Sequence, residues 1–167
     1  EVVGFQDKHV LLMPLEQMKG VGHGSRIELL SAAPTIPAGK QLLGRVIDGM
    51  GRPLDGQGPI ETNKEQTLYA ESYNPLSRPP IHQPLHMGIR SIDGLISVGR
   101  GQRMGIMAGS GVGKSVLLWM MARSTHADVN VIALIGERGR EVREFIEHIL
   151  GEEGLKRTVV VVATSDQ

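Results

Sequence analysis

The chain has 167 residues, with 18 Lys+Arg balanced by 18 Asp+Glu, no Cys, and 40% apolar content. That is enough apolar matter for a core, but it excludes a disulfide scaffold and a Cys-based metal site and lacks the basic excess of nucleic-acid binders. Aromatics at 3% argue against a base-stacking platform for single strands, and no apolar run reaches the length of a membrane span.

Residues 1–72 read as a β-rich domain. Short apolar runs at 9–15, 26–29 and 41–47 are separated by Gly20, Gly22, Gly24, Pro34, Pro37 and Gly39. Short strands between frequent turn formers predict a small β-barrel, present in part. Residues 48–59 are dense in Gly, Pro and Asp. Asp48 and Asp55 therefore read as turn residues rather than a catalytic acid pair, since Asp side chains bond their own backbone two residues on. Residues 73–86 carry Pro75, Pro79, Pro80 and Pro84 and predict an extended, semi-rigid linker. The same prolines forbid the helix that would bring His82 and His86 together on a metal.

Residues 87–167 predict an α/β domain. The run 103–107 reads as a strand, and 116–123 as a helix. The run 129–135 is almost continuously apolar, as in a strand covered on both faces. Val142, Phe145, Ile146, Ile149 and Leu150 follow the i, i+3, i+4, i+7, i+8 spacing of one helical stripe, and Gly151 suits its C-cap. The run 158–163 is a third strand. Strand–helix alternation predicts a parallel sheet with helices on both faces. Its ligands belong at the carboxyl ends of the strands. The chain opens on Glu1 and stops at Gln167, so both ends read as cut, with an open sheet edge expected at the third strand.

Between the first strand and helix stands Ala108-Gly109-Ser110-Gly111-Val112-Gly113-Lys114-Ser115, a phosphate-binding loop in its required strand–loop–helix context. Glycines let backbone N–H groups crowd around phosphate oxygens, and a helix opening near Gly113 aims its unpaired N–H groups at the same anion. Candidate nucleotide-binding residues are Gly109, Ser110, Gly111, Val112, Gly113, Lys114, Ser115 and Val116. Lys114 reaches the β- and γ-phosphates, and the Ser115 hydroxyl ligates Mg²⁺. The opening position is Ala108 where Gly is usual.

The loop 136–141, Gly-Glu-Arg-Gly-Arg-Glu, leaves the carboxyl end of the second strand. Glu137 in that place can polarise a water for attack on a γ-phosphate, and Arg138 can offset phosphate charge. The competing reading is a charged surface loop in which the two pair with each other.

Residues 99–115, followed by 136–147, resemble the export ATPases of flagella and type III secretion systems, relatives of the rotary ATP synthase β subunit. Gly44-Arg45-Val46 and residues 51–56 are also similar to that superfamily at the end of its N-terminal barrel. The resemblance covers essentially the whole chain. Gly139 and residues 142–145 favour the export branch, in which Ala108 is ordinary. It implies a RecA-like P-loop core, incomplete here, that binds ATP and Mg²⁺. Lys114 then matches the phosphate lysine, Ser115 the magnesium hydroxyl, Glu137 the water-activating glutamate and Arg138 the arginine near the γ-phosphate. The alternatives are a rotary ATP synthase catalytic subunit, a non-hydrolysing nucleotide-binding ring subunit, or a ring helicase.

The resemblance further implies a homo-hexamer at the cytoplasmic face of a membrane, peripheral to it at most. Its partners would be export-gate and stalk proteins and secreted substrates or their chaperones, with no nucleic acid. In that family the magnesium-organising Asp, the adenine pocket and the arginine finger follow the position of Gln167. The stretch by itself is therefore expected to hydrolyse negligible ATP.

Overall fold

A computed structural model describes residues 1–15, 18–30, 33–109 and 111–165. The chain contacts itself as two units, one spanning 1–32 and one spanning 33–166. In the first unit, β1 (Val2–Gln6) and β2 (His9–Leu12) form an antiparallel hairpin. Asp7 takes the positive φ of 51° that its two-residue turn needs. The run 26–29, expected as a strand, is irregular.

The second unit opens with β3 (Thr35–Pro37), paired antiparallel with β5 (Glu65–Thr67). Between them, β4 (Val46–Asp48) leaves this pair and joins a parallel sheet with β6 (Asn130–Ile135) and β7 (Thr158–Ala163), in the order β4-β7-β6. The register runs Val46↔Val160 to Asp48↔Val162 on one side of β7, and Asn130↔Thr158 to Ile135↔Ala163 on the other. A stretch read as part of the barrel thus supplies a strand to the α/β sheet. The turn after β4 explains how. Asp48 accepts from the Met50 and Arg52 amides, and Asp55 accepts from Arg45 at 2.7 Å and from the Val46 amide at 3.0 Å. These bonds hold β4 straight into the sheet, and the two carboxylates are structural.

Two other expectations change. The run 103–107 is not a strand: residues 102–109 are irregular. A strand needs a ladder partner, and here Ile106 instead packs against Ile89, Ile92, Val98 and Met121. β7 is the central strand, with Val160 fully buried, so the open edges are β4 and β6. β6 is covered on one face only: Ile132 and Leu134 pack inward while Val131 and Ile135 are exposed.

The helices that touch the sheet gather on that inward face. They are α1 (Lys114–Ser124), α2 (Gly139–Glu144) with a wide helical turn continuing over Phe145–Leu150, and α3 (Gly151–Lys156). Val142, Phe145 and Leu150 meet Val46, Val160 and Val162, and Trp119 and Ala122 of α1 pack against them. The apolar stripe from 142 to 150 is the physical cause, since it has one face to bury and the sheet offers one matching row. Gly151, at φ 59°, ends the wide turn as its C-cap, and one more helical turn follows. Among the described residues no helix is long and apolar enough to cross a membrane.

Candidate functional site

The loop residues converge on the N-terminus of α1. Gly111 and Gly113 adopt φ of 76° and 93°, a left-handed backbone that any Cβ would strain. Gly113 is the N-cap and makes no side-chain capping bond. The amides of the first helical turn have no intrahelical acceptor, which makes this end of α1 a candidate anion site. Gly109, Val112, Lys114 and Val116 are exposed and Ser115 is half-buried. Ser110 lies outside the described residues. Among the described non-Gly residues Asp7 and Ser97 take a positive φ and Ala108 does not, so the opening position holds a backbone that any L-residue adopts.

Glu137 follows the carboxyl end of β6 and is half-buried. Its backbone is fixed from both sides: the Gly136 amide donates to Ala163 O at 2.8 Å, and the Ser165 amide donates to Glu137 O at 3.2 Å. Gly136 takes φ 73° to turn the chain out of the strand. Arg138 is the N-cap of α2, its carbonyl accepting from the Glu141 and Val142 amides, and its side chain is exposed. Among the described residues no ion pair joins Glu137 to Arg138.

Ser115 and Glu137 line one cavity of about 480 Å³, whose apolar walls come from Leu118, Trp119, Met121 and the length of β6. The N-terminal end of α1 and the acid-bearing end of β6 therefore open onto the same space. Lys114 and Arg138 border that end without lining the cavity. The arrangement suits a polyanion held by amides and Lys114, with a carboxylate nearby to orient a water. A magnesium ion also fits this donor set. It takes few protein oxygens and completes its shell with water and phosphate, and Ser115 offers a hydroxyl at the helix entry. Among the described residues no cluster of His, Asp and Glu forms a separate metal site. His86 faces His126, ring centroids 5.6 Å apart, rather than His82.

Sequence reading missed Asn130, Arg157 and Gly88, all at the opposite end of α1. A polar residue opening an apolar strand was the available signal for Asn130.

Residues 88–167 match the model of the ATP synthase alpha/beta family, nucleotide-binding domain. The chain is 54% identical over 166 residues to the flagellum-specific ATP synthase of Pseudomonas aeruginosa, covering 99% of this chain and 37% of that protein. The assembled ATPase EscN of the enteropathogenic E. coli type III secretion system superposes with a TM-score of 0.92 at 46% identity, covering 100% of this chain and 40% of that one. EscN in complex with its central stalk EscO matches with a TM-score of 0.83 at 47% identity, over 94% and 39%. The chain thus spans about two fifths of the length of these relatives. From residue 88 onward the α/β core is therefore similar to the nucleotide-binding domain of the ATP synthase alpha/beta family, and over nearly all its length the chain is similar to the flagellar and type III secretion ATPases.

Proposed function

We propose that the protein containing this chain is a Mg²⁺-dependent ATPase, hydrolysing ATP to ADP and phosphate, that energises protein export through a flagellar or type III secretion apparatus. The observation that supports this most is the cavity shared by Ser115 and Glu137. In this reading the amides of Gly109 to Val116 and the Lys114 ammonium hold the phosphates. The Ser115 hydroxyl holds Mg²⁺, which when bound neutralises β- and γ-phosphate charge. Glu137 orients the attacking water and accepts its proton, and Arg138 offsets charge as the γ-phosphate leaves.

The names of the relatives favour the export branch over a rotary synthase subunit. The assembled EscN and its complex with a central stalk support an oligomer that meets a stalk protein. In this reading it is a homo-hexamer on the cytoplasmic side of an export gate, with secreted proteins or their chaperones as cargo. The proposed domain plan is an N-terminal barrel within 1–72, a linker over 73–86 and the P-loop domain over 87–167, with β4 lent to the sheet of the last.

Two substitutions in the intact protein test the roles, using nucleotide titration and phosphate release. Lys114→Ala should lose Mg-ATP affinity and turnover together. Glu137→Gln should bind Mg-ATP within about threefold of wild type while turnover falls by ~10²–10⁴, the usual reach of a positioned acid–base group. Hydrolysis surviving in Glu137→Gln would remove Glu137 from the reaction.

A further inference from the structure

The C-terminal end of α1 is bonded more completely than a surface helix requires. A helix leaves its last four carbonyls without intrahelical partners, here those of Met121, Ala122, Arg123 and Ser124. Met121 O accepts from the Thr125 amide at 2.8 Å. Ala122 O accepts from Asn130 Nδ2 at 2.9 Å. Arg123 O accepts from Arg157 Nη2 at 3.1 Å, and the other arm of the same guanidinium donates to Thr125 O at 3.0 Å and Ala127 O at 2.8 Å. Ser124 O lies against Gly88, whose missing Cβ would stand 2.8 Å from it. The two side-chain donors come from the sheet: Asn130 opens β6, and Arg157 immediately precedes β7. Those strand starts are themselves paired, Asn130 opposite Thr158.

We propose that Arg157, with Asn130, is a positioning residue that sets where the phosphate loop stands relative to Glu137. This rests on the ATPase reading above. α1 is one rigid piece about 16 Å long at 1.5 Å per residue, and its first turn carries Lys114 and Ser115. Glu137 belongs to a different piece, β6. At the end far from the chemistry, Asn130 ties α1 to β6, and Arg157 ties it to the start of β7, the neighbour on which β6 is paired. A fixed guanidinium fork across three carbonyls resists both tilt and sliding of α1, and its charge also complements the negative end of the helix dipole. Losing it leaves the loop's own phosphate contacts intact, because they travel with α1. What changes is the register between bound phosphate and Glu137, where a misplacement of about 1 Å costs on the order of 10²-fold in rate.

The test compares wild type, Arg157→Gln and Arg157→Lys in the intact protein. It reads Mg-ATP affinity and stoichiometry, turnover per bound nucleotide, and the emission of Trp119 isolated by difference against Trp119→Phe. Trp119 is the chain's single tryptophan and packs on Phe145, centroids 5.9 Å apart, so it reports the seating of α1. For Arg157→Gln the expected result is red-shifted emission, affinity within about threefold, full stoichiometry, and turnover per bound nucleotide down about 10–100-fold. Arg157→Lys keeps the charge without the fork and should fall between. Should the Gln variant fail to fold, the folded Lys variant decides, and wild-type turnover in it overturns the proposal. Unchanged emission and turnover in Arg157→Gln overturn it too, as does stoichiometry falling in step with turnover. If wild type itself does not hydrolyse ATP, the ATPase reading fails, and the Trp119 emission of Arg157→Gln alone decides whether Arg157 seats α1.

Discussion

Replacing Gly88 by Ala should destabilise the α/β unit through a contact that can be computed atom by atom. A Cβ there would stand 2.3 Å from Ser124 Cβ, 2.8 Å from Ser124 O and 3.1 Å from Ser124 C. The last two are backbone atoms at the anchored end of α1, which cannot swing aside as a flexible side chain can. Gly88 also holds φ 73°, and a side chain in that left-handed region costs about 1–2 kcal/mol. Overpacking against a fixed neighbour adds about 1–3 kcal/mol, giving a loss of about 2–5 kcal/mol. Gly44→Ala is the matched control: its φ is 83°, with nothing within 4 Å of the built Cβ, so it pays the backbone cost alone. Urea unfolding of both variants, followed by Trp119 emission, measures the difference. Gly88→Ala should lose at least about 1 kcal/mol more than Gly44→Ala. Equal losses would refute the claim that the end of α1 is held against residue 88.

Two further predictions concern the core and the β4 turn. Phe145 is 1% exposed, so Phe145→Ala should cost about 3–5 kcal/mol and red-shift Trp119, whose ring rests on it. A loss below about 1.5 kcal/mol in urea unfolding would show that the site collapses around the deletion. The hydrogen bond from Arg45, with those from the Val46 and Gln57 amides, holds the Asp55 carboxyl at about 2, below its unfolded value of about 3.9. Because the folded value is the lower one, the contribution is full above pH ~4 and fades as pH falls through ~2. It amounts to at most about 2.6 kcal/mol. The difference in stability between wild type and Asp55→Asn should therefore shrink between pH 4 and 2, and a constant difference would detach Asp55 from the acid response.

The sequence by itself determined the local form of the candidate site's segments, because their physics is local. Glycines at 111 and 113 followed by Lys114 and Ser115 specify a left-handed turn into a helix whatever surrounds them, and the apolar stripe from Val142 to Leu150 has one face to bury. Tertiary structure decided what depends on partners distant in the chain. The run 103–107 has a strand's composition but no ladder neighbour, so it stays irregular. Val46–Asp48 reads as barrel but finds Val160–Val162, over a hundred residues on, and becomes sheet. The common cavity of Ser115 and Glu137, and the anchoring of α1 by Asn130 and Arg157, are likewise invisible to spacing. Backbone conformation is a short-range choice made residue by residue, whereas strand pairing and carbonyl capping are settled only when the whole chain has closed on itself.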